Sequence, residues 1–521
     1  MKKKIYFILE LLLIFVLLFA FWYNNSDFIY TIEKYSFFVF TDDYFSIAYS
    51  KPQWLTILIS NFISQYYKDV MFGAFMQSFS VVYVMYCIKS TVISVFNFNN
   101  KNLLNAFAVI PGIILLILQN NYPEIYVNIQ FIVVFTLLYS LSFIKSNYAY
   151  FITATLYTIL LILIIPLPYC LLFFASGILY KWLSSKYHGK IESSTNLYYP
   201  SLPVLLLIVS SIFYVYKDKS NEALRKYFIM ENAAEKGEWY KILENTKRED
   251  VIADYRKIRY VVLALNETGI LGDKLFSYPI TKSDDFIFPH TVEGQPSFFN
   301  SLFYKNLGVP NEAFHFMFQI AESTPFGMDF RSLRYLTTYS IEKDDPLLYN
   351  KYIHILSKST FHKKYIKYLD GYAKERFGNG EDQLQTEYVP QKPFFIGVRS
   401  FLNDMASLYD SDRNIKALNL TLCGTLVDRK IDTFKNIINK YYQEVMINGE
   451  LPIHYQEAIV MVYRNQQGYL DKYNISKDVI EKYDVFNKLI NQQYIAEKYI
   501  INEFSNTYWF YMYARMKAEV G

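Results

Sequence analysis

Seven apolar runs, separated by short polar loops, fill the first 216 residues, a pattern that reads as a bundle of membrane helices. They are Ile5 to Trp22, Val70 to Ile88, Leu103 to Leu118, Ile125 to Ile144, Tyr148 to Ile165, Leu167 to Leu183 and Leu202 to Tyr216. Several are shorter than the ~20 residues that cross a bilayer core untilted, so their ends are soft. Pro166 and Pro168 mark a tight turn between the fifth and sixth runs, because proline cannot continue a helical ladder cheaply.

Charge separates this stretch from the rest. The chain carries 52 Lys plus Arg and 48 Asp plus Glu; 12 Lys, no Arg and 8 acids precede Lys217, leaving 40 of each sign beyond it. The remainder is balanced and large enough to bury its own core. Neutral balance gives no electrostatic reason to expect a nucleic-acid partner, which needs Lys and Arg on phosphates. Cys87 and Cys170 lie in apolar runs and Cys423 stands alone, so no bridge forms within the second half.

Met1-Lys2-Lys3-Lys4 precedes the first run, which ends in Phe21-Trp22-Tyr23 with no small-residue cleavage site, so an uncleaved helix is expected. Glu10 interrupts it, in a place suited to helix packing or the interface. With the N-terminus inside, Lys2, Lys3, Lys4, Lys89, Lys101, Lys145, Lys181, Lys186 and Lys190 fall in inner loops, against Lys34, Lys51 and Lys68 in outer ones. That is the bias of the positive-inside rule. Pro52 to Tyr67 is uncharged and competes as an eighth span. Its Gln53, Thr56, Ser60, Asn61, Ser64 and Gln65 recur at helical spacing, which favours an amphipathic helix on the outer surface with Trp54, Leu55, Leu58, Ile59, Phe62 and Ile63 toward lipid or the bundle.

The fold class is therefore all-α: a polytopic bundle of about seven spans at 1–216, with a long first outer loop at 24–69, then a soluble domain of α-hairpins at 217–521. In the latter, a helix opens at Ser220 and closes at Gly237, a second runs from Val251 to Glu267 and stops at Gly269, and a third runs from Ser297 to Leu307 before Gly308; proline starts mark Pro310 to Ala321 and Asp345 to Leu356. Further helices are expected at Asp412 to Val427, Ile431 to Val445, Pro452 to Tyr463 and Asn502 to Ala518. Successive short hairpins are tetratricopeptide-like, without a clean repeat period. A proline-bounded loop, Pro279 to Pro296, carries Asp284, Asp285, His290 and Glu293.

Two resemblances follow from particular residues. Thr41-Asp42-Asp43-Tyr44-Phe45, Phe62-Ile63-Ser64-Gln65-Tyr66-Tyr67, Leu263-Ala264-Leu265-Asn266-Glu267-Thr268-Gly269 and Asp273-Lys274-Leu275-Phe276 resemble an uncharacterised bacterial family of polytopic membrane proteins. So do Leu307-Gly308 with Asn311-Glu312-Ala313, and His454-Tyr455-Gln456-Glu457-Ala458. That resemblance covers nearly the whole chain and carries no activity. One departure is that Gln53-Trp54 stands where the family leads one to expect Gly-Gly after Pro52. The second resemblance is architectural: the span count, the acidic first outer loop and the C-terminal outer domain look like GT-C glycosyltransferases, which use lipid-phosphate-linked sugars.

That likeness implies an inner-membrane protein with a cytoplasmic N-terminus and a periplasmic C-terminal domain. It also implies Asp42 and Asp43 as the catalytic acids, since only they match the position of the first-loop acid. A carboxylate there would take the acceptor's proton. Asp42, Asp43 and Glu124, the further acid on the same side, would hold Mg²⁺ or Mn²⁺ through hard oxygen ligands. Lys51 and Lys68 would meet the lipid phosphate. The partners are then the bilayer, a lipid-linked sugar and an envelope protein. The other class is a non-enzymatic scaffold whose helical domain binds envelope proteins. A transporter has only Pro111-Gly112 as a broken-helix signal. His290, His315, His354, His362 and His454 are scattered, with no Ser or Cys motif beside them.

Overall fold

Every regular element among the described residues is a helix, as expected; the one β-type pairing is an isolated bridge between Ile447 and Glu450. The computed structural model describes residues 2–95, 101–121, 125–187, 219–289, 294–378, 400–490 and 497–520.

The N-terminal helices are α1 (Lys2–Asn24), α2 (Ser26–Lys34), α3 (Asp42–Tyr49), α4 (Trp54–Ser64), α5 (Val70–Val95), α6 (Lys101–Asn121), α7 (Tyr126–Leu141), α8 (Asn147–Leu161) and α9 (Leu167–Tyr187). The apolar runs thus appear as helices where they are described, and Leu202 to Tyr216 lies outside the described residues. α5 is the hub, packing on α1, α6 and α7. By length and composition, Val70–Thr91 is the one described helix able to cross a membrane; Ile8–Asn24 with Ser26–Lys34 would be a second, bent by 74°. Shorter apolar helices occupy Val109–Asn120, Tyr126–Leu141 and Leu167–Trp182.

The compact units do not follow the chain in two blocks. One comprises Met1–Phe228, Thr324–Thr338 and Pro346–Glu381; the other comprises Ile229–Ser323, Tyr339–Asp345 and Asp382–Gly521. Part of the sequence expected in the C-terminal domain thus belongs with the N-terminal helices. Its attachment is visible in the backbone, where Phe330 N–H donates to Ser36 O (3.0 Å) and Phe40 N–H to Lys358 O (3.1 Å).

Glycine stops fall where a left-handed residue is needed. Gly269 (φ 76°) and Gly308 (φ 72°) end Lys257–Glu267 and Gly294–Asn306, conformations that cost a side-chain-bearing residue. Two expected helices are instead split. Val251 to Glu267 becomes Arg248–Ala253 and Lys257–Glu267, because the Asp254 carboxylate accepts from Arg256 N–H (3.2 Å) and turns the chain. Asn502 to Ala518 divides at Thr507, whose hydroxyl accepts from Phe510 N–H (3.2 Å) and starts Tyr508–Val520.

Candidate functional site

Asp42 and Asp43 form the exposed first turn of α3. Thr41 caps that helix by accepting from Tyr44 N–H (3.3 Å), and two carboxylates beside the positive end of a helix are favourable by themselves. Tyr44 points inward: its ring stacks on Phe326 at 4.9 Å and its hydroxyl accepts from Asn61 Nδ2 (3.1 Å). Burial pushes its pKa up to about 12, against the opposing Asn61 hydrogen bond.

Of the phosphate and metal ligands expected around these acids, the two lysines are described. The Lys51 ammonium lies over the Phe326 ring, 5.1 Å from its centroid. Lys68 is exposed at the end of the turn Gln65–Lys68, where its charge is felt by His362. Glu124 lies outside the described residues. Among those described, no group of three or more His, Cys, Asp or Glu is placed to hold a metal ion.

A different set of ionisable groups is brought together in the first unit. Glu33, at the end of α2, receives both Arg334 guanidinium amines; Nη2 reaches Oε2 at 3.1 Å. His362 Nε2 lies 3.2 Å from both Glu33 Oε1 and Arg334 Nη1. Ser359 donates its hydroxyl to Leu356 O (2.8 Å), so its oxygen accepts from His362 Nδ1–H (2.9 Å). That assignment makes Nε2 of the neutral ring the acceptor for Arg334. Burial opposes the Glu33 charge, but Arg334 and His362 outweigh it and hold the pKa at about 2. Burial lowers the His362 pKa, with Arg334 and Lys68 adding to it and Glu33 opposing. Ser359, His362 and Glu33 lie in the order of a nucleophile, base and acid, but the ring donates to the serine instead of accepting from it. The hydroxyl is also buried and spent on a carbonyl, so the cluster is a fastener rather than an exposed nucleophile.

Helix α4 is turned the opposite way from a surface amphipathic helix. Thr56, Ser60, Ser64 and Gln65 are buried, while Leu55, Leu58, Ile59 and Phe62 are half-buried or exposed. The inward pull has a definite source. Ile164 lies in the turn between α8 and α9, outside both helices, so its carbonyl takes part in neither helical ladder. Thr56 Oγ1 (2.8 Å) and Gln130 Nε2 of α7 (3.0 Å) supply its donors. Nearby, Gln119 Nε2 donates to Gln77 O (3.1 Å) and Asn128 Oδ1 (2.8 Å), and Asn128 Nδ2 donates to Gln77 Oε1 (2.7 Å). Glu10 is paired with Lys89 at 3.5 Å between α1 and α5.

In the second unit the motif residues act as clasps. Asp273 accepts from Ile453 N–H (2.7 Å), closing the start of Ile453–Tyr463. His454 Nε2 accepts from Phe276 N–H (3.4 Å), which leaves Nδ1–H to donate to Glu457 Oε2 (2.9 Å). The same oxygen accepts from Tyr508 N–H (2.8 Å), and Glu457 O from Trp509 Nε1 (2.8 Å). In the proline-bounded loop, Asp285 accepts from the Tyr255 and Thr281 hydroxyls, both at 2.7 Å. Asp284 is exposed, and His290 and Glu293 lie outside the described residues.

No curated protein and no solved structure matches the chain. Residues 2–515 match DUF6057, described as a family of unknown function. The match spans nearly the whole chain, so the protein belongs to the DUF6057 family.

Proposed function

We propose that this protein is a multi-pass membrane scaffold, anchored by about seven helices, whose helical C-terminal part holds an envelope protein. The carrying observation is the inverted polarity of the first unit. Gln77, Ser78, Ser80, Lys89, Gln119, Asn120 and Asn128 are buried, while Leu9, Leu12, Val16, Phe75, Leu156, Leu160, Leu171 and Leu172 are exposed. Polar groups inside and aliphatic groups outside suit a hydrocarbon solvent and not water. The lysine bias supports an inside N-terminus, and with seven spans it puts the C-terminal part outside. Clasps such as Glu457 to Tyr508 and Asp273 to Ile453 support a stiff platform for a partner.

A second reading, a GT-C-like transferase, is favoured by one observation: both Asp42 and Asp43 are exposed on a capped helix start. A single comparison separates the two. Envelope glycans and glycolipids are profiled by mass spectrometry in wild type, in a deletion, and in Asp42→Asn/Asp43→Asn expressed at equal level. The scaffold reading expects the double variant to match wild type; a lost or truncated glycan in that variant overturns it in favour of the transferase. Retention of the protein in the membrane pellet after alkaline carbonate washing tests the anchor; release into the supernatant overturns it.

A further inference from the structure

A helix whose polar side chains are buried needs an apolar medium on its other side, and α4 is such a helix. Thr56 is 1% exposed, Ser60 6% and Ser64 4%, whereas Ile59 on the opposite face is 37% exposed. Leu55, Leu58 and Ile59 lie together on that face at helical spacing. One side-chain hydrogen bond of this helix, from Thr56 to Ile164 O, ties the polar face inward onto a carbonyl that Gln130 of α7 also reaches. The anchor itself is bordered by outward apolar groups, with Ile162 47% and Leu167 57% exposed. The apolar face of α4 is therefore attached to a turn that is already apolar on its exterior.

Resting on the membrane reading, we propose that α4 is immersed in the outer bilayer leaflet and that acyl chains, not water or a protein partner, cover Leu55, Leu58 and Ile59. This differs from a helix resting on the headgroups with its polar face in water, because here the polar face is occupied by the bundle. It also differs from an eighth span. The segment Trp54–Ser64 has 11 residues, about 16 Å at 1.5 Å per residue, against a hydrocarbon core of about 30 Å. The chain therefore dips in and returns, and the N-terminal acids of α3 are held close to the leaflet that α4 occupies.

The test is site-directed spin labelling of the full-length chain in phosphatidylcholine vesicles. Nitroxides are placed at Ile59→Cys and Leu55→Cys, with Leu172→Cys of α9 and Asp43→Cys as references; the native Cys87, Cys170 and Cys423 are buried. Collision with oxygen reports lipid, and collision with a water-soluble nickel chelate reports water. The expected result is an oxygen-to-nickel accessibility ratio above unity at Ile59, Leu55 and Leu172, and below unity at Asp43. Nickel exceeding oxygen at Ile59 and Leu55, with Leu172 still lipid-like, overturns the immersion of α4 alone. Protection from both reagents at Ile59 and Leu55 overturns it in favour of a protein cover. A water-like Leu172 overturns the membrane reading itself.

Discussion

The Thr56 hydroxyl donates to Ile164 O at 2.8 Å, satisfying a turn carbonyl that lies outside the α8 and α9 ladders. Gln130 shares the task at 3.0 Å, so the carbonyl has two alternative partners. Thr56→Val or Gln130→Leu alone leaves one of them, at a cost of about 0.6 kcal/mol, typical of interhelical hydrogen bonds in membranes. The double variant orphans the carbonyl, at about 1–3 kcal/mol. Unfolding in detergent measures both, and the double variant is expected to lose more than the sum of the singles.

Glu33→Gln leaves the Arg334 guanidinium in a buried place without its counter-charge. The expected loss is about 3–5 kcal/mol, whereas replacing both partners by leucine is expected to cost much less. Thermal unfolding, with protease cleavage in the Thr324–Glu381 segment as the local readout, checks the contrast.

Acid is expected to loosen the same cluster in two stages. The folded pKa of His362 lies below its ordinary 6.5, so the unfolded chain takes up a proton first and stability is lost as pH falls below about 6.5. Glu33 is held at about 2 against an ordinary 4.5, so its contribution, on the order of 3 kcal/mol, is present above pH 4.5 and lost as pH falls toward 2. His362→Gln is expected to flatten the melting temperature between pH 7 and about 5 while leaving the lower stage in place. An unchanged slope in that range would assign the first stage to another group.

Gln53 sits in the left-handed region at φ 54°, ψ 33°, directly before α4. A β-carbon there costs about 1–2 kcal/mol, part of which glycine returns as greater freedom of the unfolded chain. Gln53→Gly is therefore expected to stabilise by up to about 1 kcal/mol, and Gln53→Ala not at all. Paired denaturation curves decide it.

That residue also shows what the sequence made legible. The resemblance led to an expected Gly-Gly where this chain has Gln53-Trp54, and the backbone shows why glycine suits the first of these positions. Apolar spacing marked the helices of the first unit, and glycine and proline marked most ends in the second, because both signals are local. The polar stripe of α4 was equally visible, but its direction was not: Thr56 faces inward onto the carbonyl of Ile164, 108 residues later, and no periodicity encodes that. Glu33, Arg334 and His362 carried no local sign of one another. They are separated by 301 and 329 residues from Glu33, and a buried triad of this kind has no motif. Asp42 and Asp43 drew notice as paired acids, yet a capped first turn accounts for their placement.

The discontinuous first unit sets an order on biosynthesis. Glu33 leaves the ribosome 301 residues ahead of Arg334, an interval of about 15–60 s at ordinary elongation rates. Throughout that time α2 and the loop to α3 lack the helices they finally pack against. The N-terminal helices are thus committed to their surroundings well before their own unit is complete. A nascent chain stalled before Arg334 would present the Glu33 carboxylate and the Phe37–Tyr44 aromatic cluster as an unfinished surface that only the arriving segment can close.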